Sequence, residues 1–224
     1  MSKKVDFKEV ELYFVADMNI ARSIGVDLFE TIKKALDCGV DLIQYRDKIS
    51  SKKQFLYNAE RIKEIVERYN VGFLINDHID VSLAIEADGV HIGQDDFDVK
   101  YLKNMLEKFK IKDFIIGKST HNLEEIKEAI DEKVTYFNIG PIFPTKTKEH
   151  LERFLGVDII KEVKNLYKDS IFTVMGGINK NNLKDVILSG ADRVAVVTAI
   201  LNKGDICENV KELKKLIKEY KKER

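Results

Sequence analysis

The sequence predicts an α/β protein built as a single closed (β/α)8 TIM barrel, and three features predict it. Short, near-continuous apolar runs alternate with charged amphipathic segments, the pattern of parallel strands buried on both faces and joined by helical crossovers. Eight such strand–helix units fit in 224 residues, a length suited to one large domain rather than two small ones. No Gly-x-Gly-x-x-Gly follows the first run, which argues against an open doubly wound dinucleotide fold.

Taken in order, residues 12–16 form the first strand, ended by Asp17, and a helix near 26–38 puts Leu28, Ile32 and Ala35 on one face. Residues 40–45 form the second, running into Arg46-Asp47-Lys48 ahead of a helix near 51–69. The third, 71–76, stops at Asn76-Asp77, and the fourth, 88–92, stops at Gly93-Gln94-Asp95-Asp96. Between them Ile79, Val81, Ser82, Leu83, Ala84 and Ile85 supply about two helical turns, enough for a crossover. A helix near 98–109 leads to a short fifth strand, 114–117, which ends at Ser119-Thr120-His121-Asn122 before a charged helix over 122–131. The sixth, 134–139, runs into a loop at 140–148, and the seventh, 171–174, stops at Gly176-Gly177 before a helix over 179–189. The eighth, 194–197, precedes a charged terminal helix over 207–224, and residues 1–10 are an N-terminal extension of the single domain 1–224.

Lys plus Arg and Asp plus Glu are both 38, a formal net charge of zero that argues against nucleic acid as a partner. The charged N-terminus has no signal-peptide core, and no apolar run approaches the ~20 residues of a membrane span. A cytoplasmic protein acting on small molecules, with no membrane partner, is the expectation, and assembly into a homo-oligomer is left open. Cys38 and Cys207 are far apart and lack Cys-x-x-Cys spacing, so neither a disulfide framework nor a thiolate metal site is expected. Cys38 reads as a small core residue.

In such a barrel the strand ends carry the chemistry. Asp77 and one of Asp95 or Asp96 end neighbouring strands roughly 4.8 Å apart, so two carboxylates can share a hard cation such as Mg2+. Gln44, Arg46 and Lys48 follow the second strand, Asn76 the third, Ser119 the fifth, Thr145, Thr147 and Lys148 the sixth, and Thr198 the eighth. Arg46 can fork onto two phosphate oxygens, whereas Lys48 and Lys148 act as point charges. Gly176-Gly177 offers bare backbone N–H groups for an anion at the start of a helix. Both prolines of the chain, Pro141 and Pro144, stiffen the loop that presents Thr145, Thr147 and Lys148, which reads as a ligand clamp. His78, His91, His121 and His150 lack zinc-site spacing and are expected to be structural or peripheral.

From about Leu12 to Ile200 the chain resembles the thiamine phosphate synthase family, on four blocks. They are Gln44-Tyr45-Arg46-Asp47-Lys48, Ile75-Asn76-Asp77-His78, Gly89-Val90-His91-Ile92-Gly93-Gln94-Asp95-Asp96 and Gly140-Pro141-Ile142-Phe143-Pro144-Thr145-Lys146-Thr147-Lys148. The resemblance implies Mg2+-dependent condensation of 4-amino-2-methyl-5-(diphosphooxymethyl)pyrimidine with a thiazole phosphate, carboxylated or not. Thiamine phosphate and pyrophosphate are the implied products, through a dissociative pyrimidine cation. It implies Asp77 and Asp96 as metal ligands, with Gln44, Arg46, Lys48, Asn76, Ser119 and Lys148 on the pyrimidine diphosphate. Of these, Arg46, Lys48, Ser119 and Lys148 are the implied catalytic residues. Thr145, Thr147, Gly177, Val197 and Thr198 are implied on the thiazole phosphate. Thr198 stands where the family has serine, Met175 stands where a smaller residue is usual, and Asn138 is less usual. A thiazole tautomerase, a phosphosugar isomerase and a non-catalytic barrel are rivals, and retention of both the carboxylate pair and the cations favours the synthase.

Overall fold

The computed structural model describes residues 5–145 and 154–224 and closes into a barrel of eight parallel strands in sequence order. The strands are β1 Leu12–Asp17, β2 Leu42–Arg46, β3 Gly72–Asn76, β4 Gly89–Ile92, β5 Ile115–Thr120, β6 Tyr136–Ile139, β7 Phe172–Val174 and β8 Val194–Val196. Each starts within two residues of its expected apolar run, because a parallel strand covered on both faces excludes water from nearly every side chain; β5 departs from the expected 114–117 by running on through the buried Lys118, Ser119 and Thr120.

The helices that wrap the barrel are α1 Met18–Ile24, α2 Leu28–Asp37, α3 Lys52–Val66, α4 Ile79–Ala84, α5 Val99–Lys108, α6 Leu123–Asp131, α7 Asp158–Leu166, α8 Leu183–Leu188 and α9 Ile206–Glu223. Two of them differ from the sequence expectation. The first crossover is split: Asp17 caps α1, Gly25 ends it at φ +71°, and Asp27 caps a second helix through the N–H groups of Phe29 and Glu30. Helix α7, with Ile160 and Val163 buried, has no counterpart among the expected elements.

Of the N-terminal extension, the described residues 5–10 pack onto the barrel. Phe7 is buried and stacks on Tyr136 with ring centroids 4.1 Å apart, while Arg193 donates to the carbonyls of Phe7 and Lys8 at 2.8 and 3.0 Å. This plug seals the end where the strands begin, which leaves the opposite end as the open one.

The cysteines overturn the expectation for them. Cys38 and Cys207 form a disulfide, with Cα atoms 5.3 Å apart across 169 residues, tying the end of α2 to the first turn of α9. Cys38 is therefore a cross-link at the helix layer and not a free core thiol. Among the described residues no helix is long and apolar enough to cross a membrane.

Candidate active site

A cavity of about 810 Å3, its open mouth included, lies at the ends of the strands. Each strand or its end contributes a side chain: Val15, Gln44, Asn76, His91, Ser119, Asn138, Met175 and Ala195. The arc from β2 to β6 is polar, and the arc from Met175 through Ala195 to Val15 is apolar. Strand registers pair Val15 with Gln44, Asn76 with His91 and Ser119 with Asn138, so the two members of each pair face the barrel interior together.

Arg46, at the end of β2, is half-buried on the cavity wall and its guanidinium is ion-paired to Asp17, which is completely buried. Gln44 lies below it. Its buried amide nitrogen has no hydrogen-bond partner among the described residues, a donor left for something else.

Beside the cavity, on the rim, stand the two carboxylates. Asp77 leaves β3 at φ +61°, held by its N–H on the carbonyl of His91 at 2.8 Å. Asp96 accepts from the N–H of Gly93 at 2.7 Å. The two carboxyl groups are close enough to shift each other's ionisation, and the ammonium of Lys48 is ion-paired to Asp77. Burial, then the neighbouring Asp96, raises the pKa of Asp77 against the pull of Lys48. For Asp96 burial also opposes ionisation, but the neighbouring Asp77, the hydrogen bond from Gly93 and the charge of Lys48 outweigh it, and its pKa is lowered. Among the described residues no third acidic, histidine or cysteine side chain joins them. Two carboxylates, one neutralised by an ammonium, fit a hard cation that brings its own waters and phosphate oxygens.

Below the rim, the polar arc is wired together. The Nε2 of His91 lies 2.9 Å from the hydroxyl of Ser119, its Nδ1 lies 2.8 Å from the hydroxyl of Tyr136, and that hydroxyl lies 2.9 Å from the one of Tyr13. Thr173 donates to the Oδ1 of Asn138 at 2.7 Å. Burial pushes the phenols of Tyr13 and Tyr136 well above their ordinary range, so both stay protonated. His91 and His121 thus line the cavity, so neither is peripheral, while His91 is also buried and hydrogen-bonded as the structural expectation has it. His121 pairs with Glu125 at 2.9 Å. His78 packs edge-on against Phe55 outside the cavity, and His150 lies outside the described residues.

The second lobe of the cavity is built from the loops after β6, β7 and β8. Ile142 and Phe143 donate to the carbonyls of Met175 and Gly176 at 2.9 and 3.0 Å, zipping the proline loop onto the glycine turn. A Cβ on Gly176 would sit 2.5 Å from the Cα of Pro141, and one on Gly177 would sit 2.5 Å from the carbonyl oxygen of Pro144. The glycines are thus required by close approach and positive φ. They do not open a helix as expected: α8 begins only at Leu183. Thr145, Gly177, Val197 and Thr198 all line the lobe, whereas Thr147 and Lys148 lie outside the described residues.

Comparison with known proteins agrees with this arrangement. Residues 12–200 match the family described as thiamine monophosphate synthase. The chain is 42% identical to a thiamine-phosphate synthase of Shouchella clausii, over 81% of this chain and 85% of that one. It is 36% identical to another from Persephonella marina, over 95% and 98%. A solved thiamine phosphate pyrophosphorylase from Pyrococcus furiosus superposes with a TM-score of 0.82 at 27% identity, covering 96% of this chain and 98% of that one. A match over most of the barrel, at these identities, means that this chain is an enzyme of the transferase class and belongs to the thiamine monophosphate synthase family.

Proposed function

We propose that the cavity joins 4-amino-2-methyl-5-(diphosphooxymethyl)pyrimidine to a thiazole phosphate, giving thiamine phosphate and pyrophosphate in a Mg2+-dependent reaction. The observation that carries this reading is the juxtaposition of an anchored guanidinium, Arg46, with the Lys48–Asp77–Asp96 cluster on one rim, opposite a glycine-and-threonine lobe. One end suits a diphosphate with a metal, the other a simple phosphate.

Asp77 and Asp96 would hold the Mg2+, and Lys48 would leave Asp77 for the diphosphate. The ion would neutralise charge accumulating on the departing pyrophosphate. Arg46 forks onto the diphosphate, with Asn76 and Ser119 donating beside it and Gln44 below, and Lys148 joins them by its place in the motif. Thr145, Thr147, Gly177, Val197 and Thr198 receive the thiazole phosphate.

The amino group of the pyrimidine feeds electrons toward the methylene carbon, the C–O bond breaks with its electron pair leaving on pyrophosphate, and the thiazole nitrogen attacks the resulting cation. This route needs placement and cationic charge that act most strongly on the leaving group, and no covalent nucleophile. The apolar arc of Val15, Met175 and Ala195 keeps water from the cation.

The test is pyrophosphate release by the purified protein with both substrates and Mg2+, beside an Asp77→Ala/Asp96→Ala double variant. Release should need both substrates and the metal and should collapse in the folded variant. Release from either substrate alone, or undiminished release in the variant, would sink the reading.

A further inference from the structure

We propose that His91 is a positioning residue: held as its Nε2–H tautomer by Tyr136, it donates to Ser119 and so turns the serine hydroxyl outward, toward the diphosphate. The proposal rests on the reading of Ser119 as a diphosphate ligand.

The geometry is a single file of buried polar atoms, Tyr13 hydroxyl to Tyr136 hydroxyl to His91 to Ser119 hydroxyl, with successive separations of 2.9, 2.8 and 2.9 Å. A neutral imidazole donates from one nitrogen and accepts at the other, so the file can run in one of two directions. Running inward, Ser119 donates to His91, His91 to Tyr136 and Tyr136 to Tyr13. The proton of Tyr13 is then driven toward Gln44, whose buried amide nitrogen is itself a donor without a partner among the described residues. Two buried donors would face each other, which is costly.

Running outward, Tyr13 donates to Tyr136, Tyr136 to the Nδ1 of His91, and the Nε2–H of His91 to Ser119. The oxygen of Tyr13 is then free to face the Gln44 donor, and the proton of Ser119 is free for the cavity. A diphosphate offers only acceptors, so a serine that binds it has to donate. The outward order meets both demands at once, and no group gains or loses charge. Phe7 fixes the base of the file by stacking on Tyr136, and a Cβ at Gly117 would lie 2.3 Å from that ring, so the phenol has one position.

The test uses the full chain with 15N-labelled histidine, the His91 signals being assigned by their loss in His91→Gln. In the unmodified protein the 15N shifts should show a protonated Nε2 and an accepting Nδ1, a readout that packing alone does not set. Tyr136→Phe keeps the ring stack and removes the donor to Nδ1. It should mix the tautomers and raise KM for the pyrimidine diphosphate roughly tenfold, leaving KM for the thiazole phosphate unchanged. Ser119→Ala should do at least as much, and the Ser119→Ala/Tyr136→Phe double variant should be no worse than Ser119→Ala. His91→Gln, whose amide can still donate to Ser119, should retain most of the affinity. An Nδ1–H tautomer in the unmodified protein, or additive effects of the two variants, would overturn the relay. Ser119→Ala with unchanged KM would overturn the role of Ser119 and the relay with it, whereas an effect of Ser119→Ala without one of Tyr136→Phe removes only the relay.

Discussion

Asp17 anchors Arg46. The two residues are level at the ends of neighbouring strands, the carboxylate is fully buried, and the same side chain caps α1 through the N–H groups of Asn19 and Ile20 at 2.9 and 3.1 Å. One carboxylate therefore sets the start of a helix and the direction of the guanidinium on the cavity wall. Asn caps helices about as well as Asp, so Asp17→Asn keeps α1 while weakening the grip on the guanidinium. We expect KM for the pyrimidine diphosphate to rise roughly tenfold or more, the loss of one charged hydrogen bond of about 1.5–3 kcal/mol, with KM for the thiazole phosphate little changed. Steady-state kinetics on both substrates check this, and equal losses for the two would assign Asp17 to general stability instead.

Asp77 is a site of cost in the metal-free protein. Burial first, then Asp96, raises its pKa, so the folded state holds its proton more tightly than the unfolded chain does. Ionised Asp77 therefore subtracts from stability, fully above its folded pKa, and the penalty is relieved as pH falls through that value. Asp77→Asn should leave the metal-free protein at neutral pH at least as stable as the parent. The variant should flatten the pH dependence of Tm just above the ordinary carboxylate range near about 4. Its activity should nonetheless fall by roughly a hundredfold or more, and Mg2+ with pyrophosphate should raise Tm only in the parent. Thermal melts across pH, with and without the metal, read both effects. A clear drop in Tm for the metal-free variant would mean that the Lys48 pair outweighs the burial of Asp77.

The barrel is legible in the sequence because parallel strands covered on both faces demand unbroken apolar runs, and the chemistry of a barrel sits where such runs stop. That logic takes Gln44, Arg46, Asn76, Ser119, Gly177 and Thr198 to one cavity. It fails where a residue serves as core and site at once. His91 inside an apolar strand reads as packing, and its partner Tyr136 is 45 residues away, brought near only by the closed sheet. The disulfide fails for the same reason: α9 reaches α2 only when the last strand pairs with the first. Helix α1 did carry local signals, Asp17 before it and Gly25 after it, but at 7 residues it is too short to show a clear apolar stripe.

The glycine turn after β7 holds the proline loop in place within the second lobe of the cavity. Gly176 sits at φ +100° with Pro141 against it, so Gly176→Ala forces a side chain into a backbone contact and a disfavoured conformation together. Strain of about 1–3 kcal/mol is relieved by parting the proline loop from the turn, which breaks the hydrogen bonds of Ile142 and Phe143 to Met175 and Gly176. KM for the thiazole phosphate should rise roughly tenfold, with a smaller effect on the pyrimidine diphosphate. The Thr145 backbone amide should also exchange hydrogen faster. Kinetics and exchange on the same sample separate this from a uniform loss of folded protein, in which the strand amides would also exchange faster.

The disulfide closes a loop of 169 residues, from the end of α2 to the first turn of α9, and α9 packs against both α8 and α2. Cross-linking so long a loop removes much of the freedom of the unfolded chain, worth roughly 2–5 kcal/mol. In a domain of this size that corresponds to a Tm lower by roughly 5–15 °C once the bond is gone. Cys207→Ser and treatment with a thiol reductant should therefore lower Tm by the same amount, and the reductant should have no further effect on the variant. Because both cysteines stand at the helix layer, away from the residues lining the cavity, KM for either substrate should not move at temperatures where the fold persists. Thiol titration of the denatured parent without reductant decides the premise: two titratable thiols would show that the bond does not form, and the difference in Tm between parent and Cys207→Ser should then vanish.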